Sequence, residues 1–212
     1  STTAGVLSWA TDSLPDASVT AAKIASGLKL VTTDAQYNTV AGTNAGDSFT
    51  GTDAEGNTLI GYNAGTAITT ANNNVAVGRG ALAANTTGGA NIAIGAYALA
   101  NDTTGGQTAV GYKALTTNTT GDYLTAMGYN ALELNQTGTK NAAFGYKSLE
   151  DNTTGGFCTA VGYIALNTNT TGTENTAVGA NALTTNSTGS YNTAMGVNSL
   201  EANTASKNTA FG

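Results

Sequence analysis

One glycine-centred motif returns about every 17 residues from mid-chain to the last residue. A period this tight means that each repeat forms one similar unit stacked on the next, so the chain builds a rod. Two clear copies run from Thr108 to Gly121 and from Thr159 to Gly172, both beginning Thr-Ala-Val-Gly-Tyr and ending Asn-Thr-Thr-Gly. The marker glycines are Gly61, Gly78, Gly95, Gly111, Gly128, Gly145, Gly162, Gly179, Gly196 and Gly212, with successive steps of 17, 17, 16, 17, 17, 17, 17, 17 and 16. The period predicts an all-β solenoid, one coil per repeat.

Small and polar residues dominate, with 28 Gly, a single Pro and only 9% charged residues. Such mixtures are often disordered, yet 40% of this chain is hydrophobic and those residues hold fixed places in the repeat. The net charge is −6, from 13 acidic and 7 basic residues, with no histidine. A mildly acidic chain without clustered Lys and Arg argues against nucleic acid as a partner and against anionic membrane surfaces. No apolar run reaches the length of a membrane-spanning helix, so no membrane insertion is expected, and no signal peptide is visible. The lone cysteine, Cys158, stands where other copies carry Asn141, Asn175 or Asn192, and reads as a substitution in a ladder position.

The chain divides into three stretches. Residues 1–36 lie outside the repeat and read as a linker or cap; Ile24, Leu28 and Val31 have the spacing of a short helix. Residues 37–70 read as irregular first coils, as terminal repeats commonly are, and residues 71–212 as regular coils. The chain stops halfway through a coil, and a bare half-coil exposes a strand edge, so the polypeptide is expected to continue beyond Gly212.

Counting from the marker glycine, position −2 is Ala in every regular copy: Ala76, Ala93, Ala109, Ala126, Ala143, Ala160, Ala177 and Ala194. Position −1 is large and apolar, as in Val77, Ile94, Val110, Met127, Phe144 and Val161. Position +4 is Leu, as in Leu82, Leu99, Leu115, Leu132, Leu149 and Leu166. A short strand with alternating faces would put the −1 residue on one side and Ala −2 on the other. The −1 residues and Leu +4 are therefore expected to fill the coil. The Ala column is expected to press against other copies of the chain. Position +1 is often tyrosine, and Tyr112, Tyr129, Tyr146 and Tyr163 predict a ring stack, with a carbohydrate platform as the sharper alternative. The recurring Asn-Thr-Thr-Gly reads as a turn whose asparagines form ladders, although the string is also a glycosylation acceptor. Its adjacent threonines, placed at a turn beside glycine, suit an ice-binding face poorly.

Two large side chains per coil contribute about 3–6 kcal/mol, whereas ordering each residue opposes folding by about 1–2 kcal/mol. One chain therefore looks insufficient, and closed association of three copies is expected.

The string Asn-Thr-Ala-Val-Gly-Tyr-x-Ala-Leu-x-x-Asn-Thr-Thr-Gly resembles the repeats of bacteriophage tail fibres and related secreted fibre proteins. It is more loosely similar to the head domains of trimeric autotransporter adhesins, whose repeat is shorter. The resemblance covers roughly residues 57–212. It implies a trimeric, left-handed parallel β-roll, extracellular, on a virion tail fibre or a bacterial cell surface.

The leading expectation is a non-catalytic fibre segment, a rigid shaft or head for attachment, with itself as partner and a cell-surface glycan or protein as receptor. A self-assembling structural filament is an alternative. A polysaccharide-processing solenoid enzyme is another, since Glu133, Glu150 and Glu201 fall at equivalent places, but a solvated charged edge explains them better. No catalytic residues, metal ligands or cofactor are expected.

Overall fold

A computed structural model describes residues 32–33, 36–50 and 53–212. The expected helix through Ile24, Leu28 and Val31, and nearly all of the 1–36 linker, lie outside the described residues. Among the described residues twelve short strands form one sheet whose spatial order is the order of the chain. β1 (Thr32–Thr33) runs antiparallel to β2 (Thr39–Ala41). From β2 to β12 (Thr209–Phe211) neighbouring strands are parallel. Their register is that of the repeat, with Ala109 opposite Ala126 and Val110 opposite Met127. The chain is thus an all-β parallel solenoid of about ten turns, with no helix among the described residues.

Coil length varies without disturbing this register. Ala93 still faces Ala109 across a 16-residue step, and Val40 faces Leu59 across a 19-residue one. All of the difference falls in one corner, between positions +7 and −4 of the next coil: Asp102 to Gln107, Asn85 to Asn91, Phe49 to Asn57. That corner is loop, where insertions are tolerated.

Each three-residue strand ends at the marker glycine, where φ is large and positive, 138° at Gly111. A Cβ on Gly111 would collide with the carbonyl oxygen of Gly128, so successive backbones approach too closely for any side chain. Positions +2 and +4 are left-handed even without glycine, as in Lys113 (φ 55°) and Leu115 (φ 54°). That conformation is uncommon for a bulky residue, and burial of the leucine offsets its strain. Leu82, Leu99, Leu115, Leu132, Leu149 and Leu166 are all fully buried, as the sequence predicted.

The strand, however, is turned the other way from the sequence expectation. Ala76, Ala93, Ala109, Ala126, Ala143, Ala160, Ala177 and Ala194 are fully buried inside their own coil, so they cannot face another chain. Val77, Ile94, Val110, Met127, Phe144 and Val161 point outward and remain partly or substantially exposed. The interior is thin. Leu +4 crosses it from the turn, and what remains opposite has room for a methyl group but not for Met or Phe.

Two polar ladders complete the interior. At position −4 the carboxamide oxygen accepts the backbone N–H one coil on, as from Asn74 to Asn57 (2.9 Å), Asn91 to Asn74 (2.9 Å) and Asn192 to Asn175 (3.0 Å). Its amide nitrogen donates to the turn carbonyl of the following corner, Asn175 to Gly189 at 2.7 Å. At position +7 the amides bond each other, Asn135 to Asn118 (2.9 Å), Asn152 to Asn135 (2.7 Å) and Asn169 to Asn152 (2.8 Å). Each also donates to the glycine three residues on, as Asn152 does to Gly155 at 3.0 Å. The asparagines of these ladders therefore find partners, which a polar interior requires.

Candidate functional site

The outward side of the sheet is the surface that packing leaves unfinished. Its central column is position −1, where Met127, Phe144 and Met195 keep 42%, 37% and 43% of their surface. Beside it on the strand lie mostly threonines, with Val75 and Ile92 in two coils. The parallel register holds these side chains one strand spacing apart, about 4.8 Å, along the rod. Large contiguous apolar surface is uncommon on soluble monomers, so this face is the candidate contact surface.

Two further columns flank it. At +1 the rings of Tyr112, Tyr129, Tyr146 and Tyr163 stack with centroids 5.0, 5.4 and 5.3 Å apart and planes within 9–21°. Tyr97 meets Tyr112 edge-on at 6.4 Å, and the Arg79 guanidinium lies 5.6 Å from Tyr97 and 5.9 Å from Tyr62. The stacked faces cover one another, so solvent meets ring edges and hydroxyls. A sugar stacks on a free face, and this arrangement favours the packing role over a carbohydrate platform. At −5, a left-handed corner, Tyr123, Phe157 and Tyr191 project, with Lys140 Nζ 4.6 Å from the Phe157 ring centre. Sequence reasoning did not single out this column.

Charged groups gather on another edge. Lys113 pairs with Glu133 at 3.0 Å and Lys147 with Glu150 at 3.1 Å. Partial burial pushes the Glu150 carboxyl up, but hydrogen bonds from Asn130, Asn167 and Lys147 outweigh it and hold the group below its ordinary value. Both carboxylates are engaged by neighbours, as in a structural edge. Glu201, at the equivalent place, is exposed. Among the described residues no group of three or more His, Cys, Asp or Glu could hold a metal ion.

Three substitutions interrupt the interior ladders, the first being Leu124, a buried apolar side chain at a −4 position. Cys158 occupies a −4 rung, its Sγ 3.4 Å from the Gly172 carbonyl oxygen, and burial pushes its thiol up to about 11. Asp102 occupies a +7 rung and is fully buried. The other turn asparagines, among them Asn85, Asn118 and Asn152, are likewise buried and bonded, so the Asn-Thr-Thr-Gly strings serve the fold.

The molecule belongs to the β-solenoid repeat proteins, defined by its in-register coils and interior ladders. No protein-family model, no curated protein and no solved structure matches the chain.

Proposed function

We propose that the chain is a segment of a trimeric, left-handed, non-catalytic fibre that serves as a rigid shaft or head for attachment to a cell surface. The continuous outward column of large apolar side chains, Met127 and Phe144 at its middle, carries this reading. A rod that leaves such a column to water would adhere to other copies of itself, because the column repeats at the same spacing in each. The −5 and +1 columns give two strips on either side of the centre. A strip on one chain meets the other strip on the next, and three chains close this contact around an axis.

The mass in solution tests the assembly. Light scattering is expected to give three times the mass of one chain, and Met127→Asp with Phe144→Asp is expected to lower it to one. A native protein with the mass of a single chain sinks the proposal. Attachment is tested separately, with labelled fibre on intact bacterial cells before and after their surface polysaccharide is stripped. Saturable binding supports a receptor, and its absence on every cell type favours a structural filament.

A further inference from the structure

The +7 ladder runs without a gap from Asn118 to Asn186, each amide donating to the residue one coil back. It continues from Asn118 to Asp102 Oδ1 at 2.6 Å and then stops. Asp102 also accepts from the Thr104 hydroxyl at 3.0 Å, again through Oδ1. Its other oxygen, Oδ2, is buried and has no hydrogen-bond partner. Where every neighbouring rung has an NH2 group, this one has an oxygen. The missing link is the one toward Asn85, one coil back. Asn85 Oδ1 accepts from the Gly88 N–H at 2.9 Å, and a single proton on Asp102 Oδ2 would give this rung the donor that its neighbours have, where a bare carboxylate oxygen can only accept.

We propose that in mild acid Asp102 stands in the folded rod as the neutral acid, donating from Oδ2 toward Asn85 Oδ1, that it loses this proton toward neutrality, and that its coil is thereby a pH-sensitive joint. The coil is also short, with a 16-residue step from Gly95 to Gly111, and Gln107 replaces asparagine in its other ladder. Gln107 reaches the Gly121 carbonyl at 3.1 Å, and the Thr104 carbonyl takes the place that glycine fills in the neighbouring corners, accepting from Asn91 at 2.8 Å. The joint therefore differs from its neighbours in length and in both polar rungs.

The charge balance favours the proton. Burial, aided by Asp122 in the following coil, outweighs the hydrogen bonds from Thr104 and Asn118, and the net effect raises the Asp102 carboxyl from 3.8 to about 6. The side chains that face it along the ladder, Asn85 and Asn118, are uncharged. The folded value exceeds the unfolded one, so the proton's contribution is complete below 3.8 and disappears as pH rises through about 6. The joint is tightest in acid and loosens toward neutrality.

Hydrogen exchange of the full chain, corrected for intrinsic rates, tests this coil by coil. Between pH 4 and pH 7.5 the opening constant of residues 95–111 is expected to rise by up to about a hundredfold, the equivalent of about two pKa units, while residues 162–196 stay level. Asp102→Asn supplies the group that the neighbouring coils carry and is expected to flatten the profile. An infrared band of a protonated carboxyl at pH 5, missing from Asp102→Asn, is the second readout. Parallel pH profiles for the two proteins, a looser joint in Asp102→Asn at pH 7.5, or no such band would each overturn the proposal.

Discussion

Leu59 fills from the strand the interior space that leucine elsewhere fills from the turn, and Gly65 stands where that turn leucine would be. A Cβ on Gly65 would lie 2.8 Å from Leu59 Cδ2 and 2.8 Å from Ile68 Cδ1. The same exchange occurs one coil earlier, where Val40 on the strand is matched by Gly46 on the turn. The two inward positions therefore share one volume. Leu59→Ala is expected to destabilise by about 2–5 kcal/mol through the cavity it leaves. Gly65→Leu is expected to cost about 1–3 kcal/mol by overpacking. Together they recreate the regular coil, so the double variant loses less than the sum of the two, as read from a thermal or urea denaturation cycle. Simple additivity contradicts a shared volume.

The turn leucine is constrained by backbone as well as by space. Leu132 is fully buried at φ 52°, where a β-branched residue is a steric outlier. Leu132→Met is expected to cost less than about 1.5 kcal/mol, as volume-conserving swaps do. Leu132→Ile, of equal volume, is expected to cost clearly more. If denaturation midpoints rank the two variants the other way, backbone strain is not what selects leucine here.

Cys158 is a weakened rung that asparagine would strengthen. Its thiol is a poor donor to Gly172, and sulfur offers little to the next coil's backbone N–H. Cys158→Asn is expected to stabilise by about 0.5–1.5 kcal/mol, the usual contribution of a hydrogen bond. In the native protein the buried thiol, pushed up to about 11, is expected to resist iodoacetamide at pH 8 and to react once the chain is unfolded. Rapid native alkylation contradicts its burial.

Asn152 links two neighbours, donating to Asn135 and accepting from Asn169. Asn152→Ala removes both of these bonds, leaves Asn135 Oδ1 without this donor, and is expected to cost about 1–3 kcal/mol. Asn152→Asp places a carboxyl in a second buried rung and raises its pKa. That variant is expected to lose stability as pH rises from acid to neutral, so its melting temperature at pH 7.5 falls below its value at pH 5. A melting temperature that rises over this range would count against the ladder.

The period, the marker glycine, the buried Leu82–Leu166 series, the tyrosine stack and the asparagine ladders were all legible in the sequence, because each depends on residue type at fixed spacing. The direction of the strand was not. In a strand such as Ala142–Phe144, apolar residues stand on both faces, and alternation alone does not say which is inward. One signal was available: position −2 is Ala in every regular copy, while −1 ranges from Val through Ile and Met to Phe. A confined site tolerates one size and an open face tolerates many. Asp102 carries no pattern in the sequence, being a single acid among scattered ones, and only its orphaned oxygen sets it apart.

The chain's only two methionines, Met127 and Met195, both lie in the outward column and make its cover directly measurable. Peroxide oxidation of the native protein, followed residue by residue by mass spectrometry, reports whether sister chains lie over them. If they do, both thioethers oxidise many times more slowly in the assembled protein than in denaturant. Oxidation of both at the rate of a free methionine, with the protein still folded, would show the column open to water and the fibre assembly wrong.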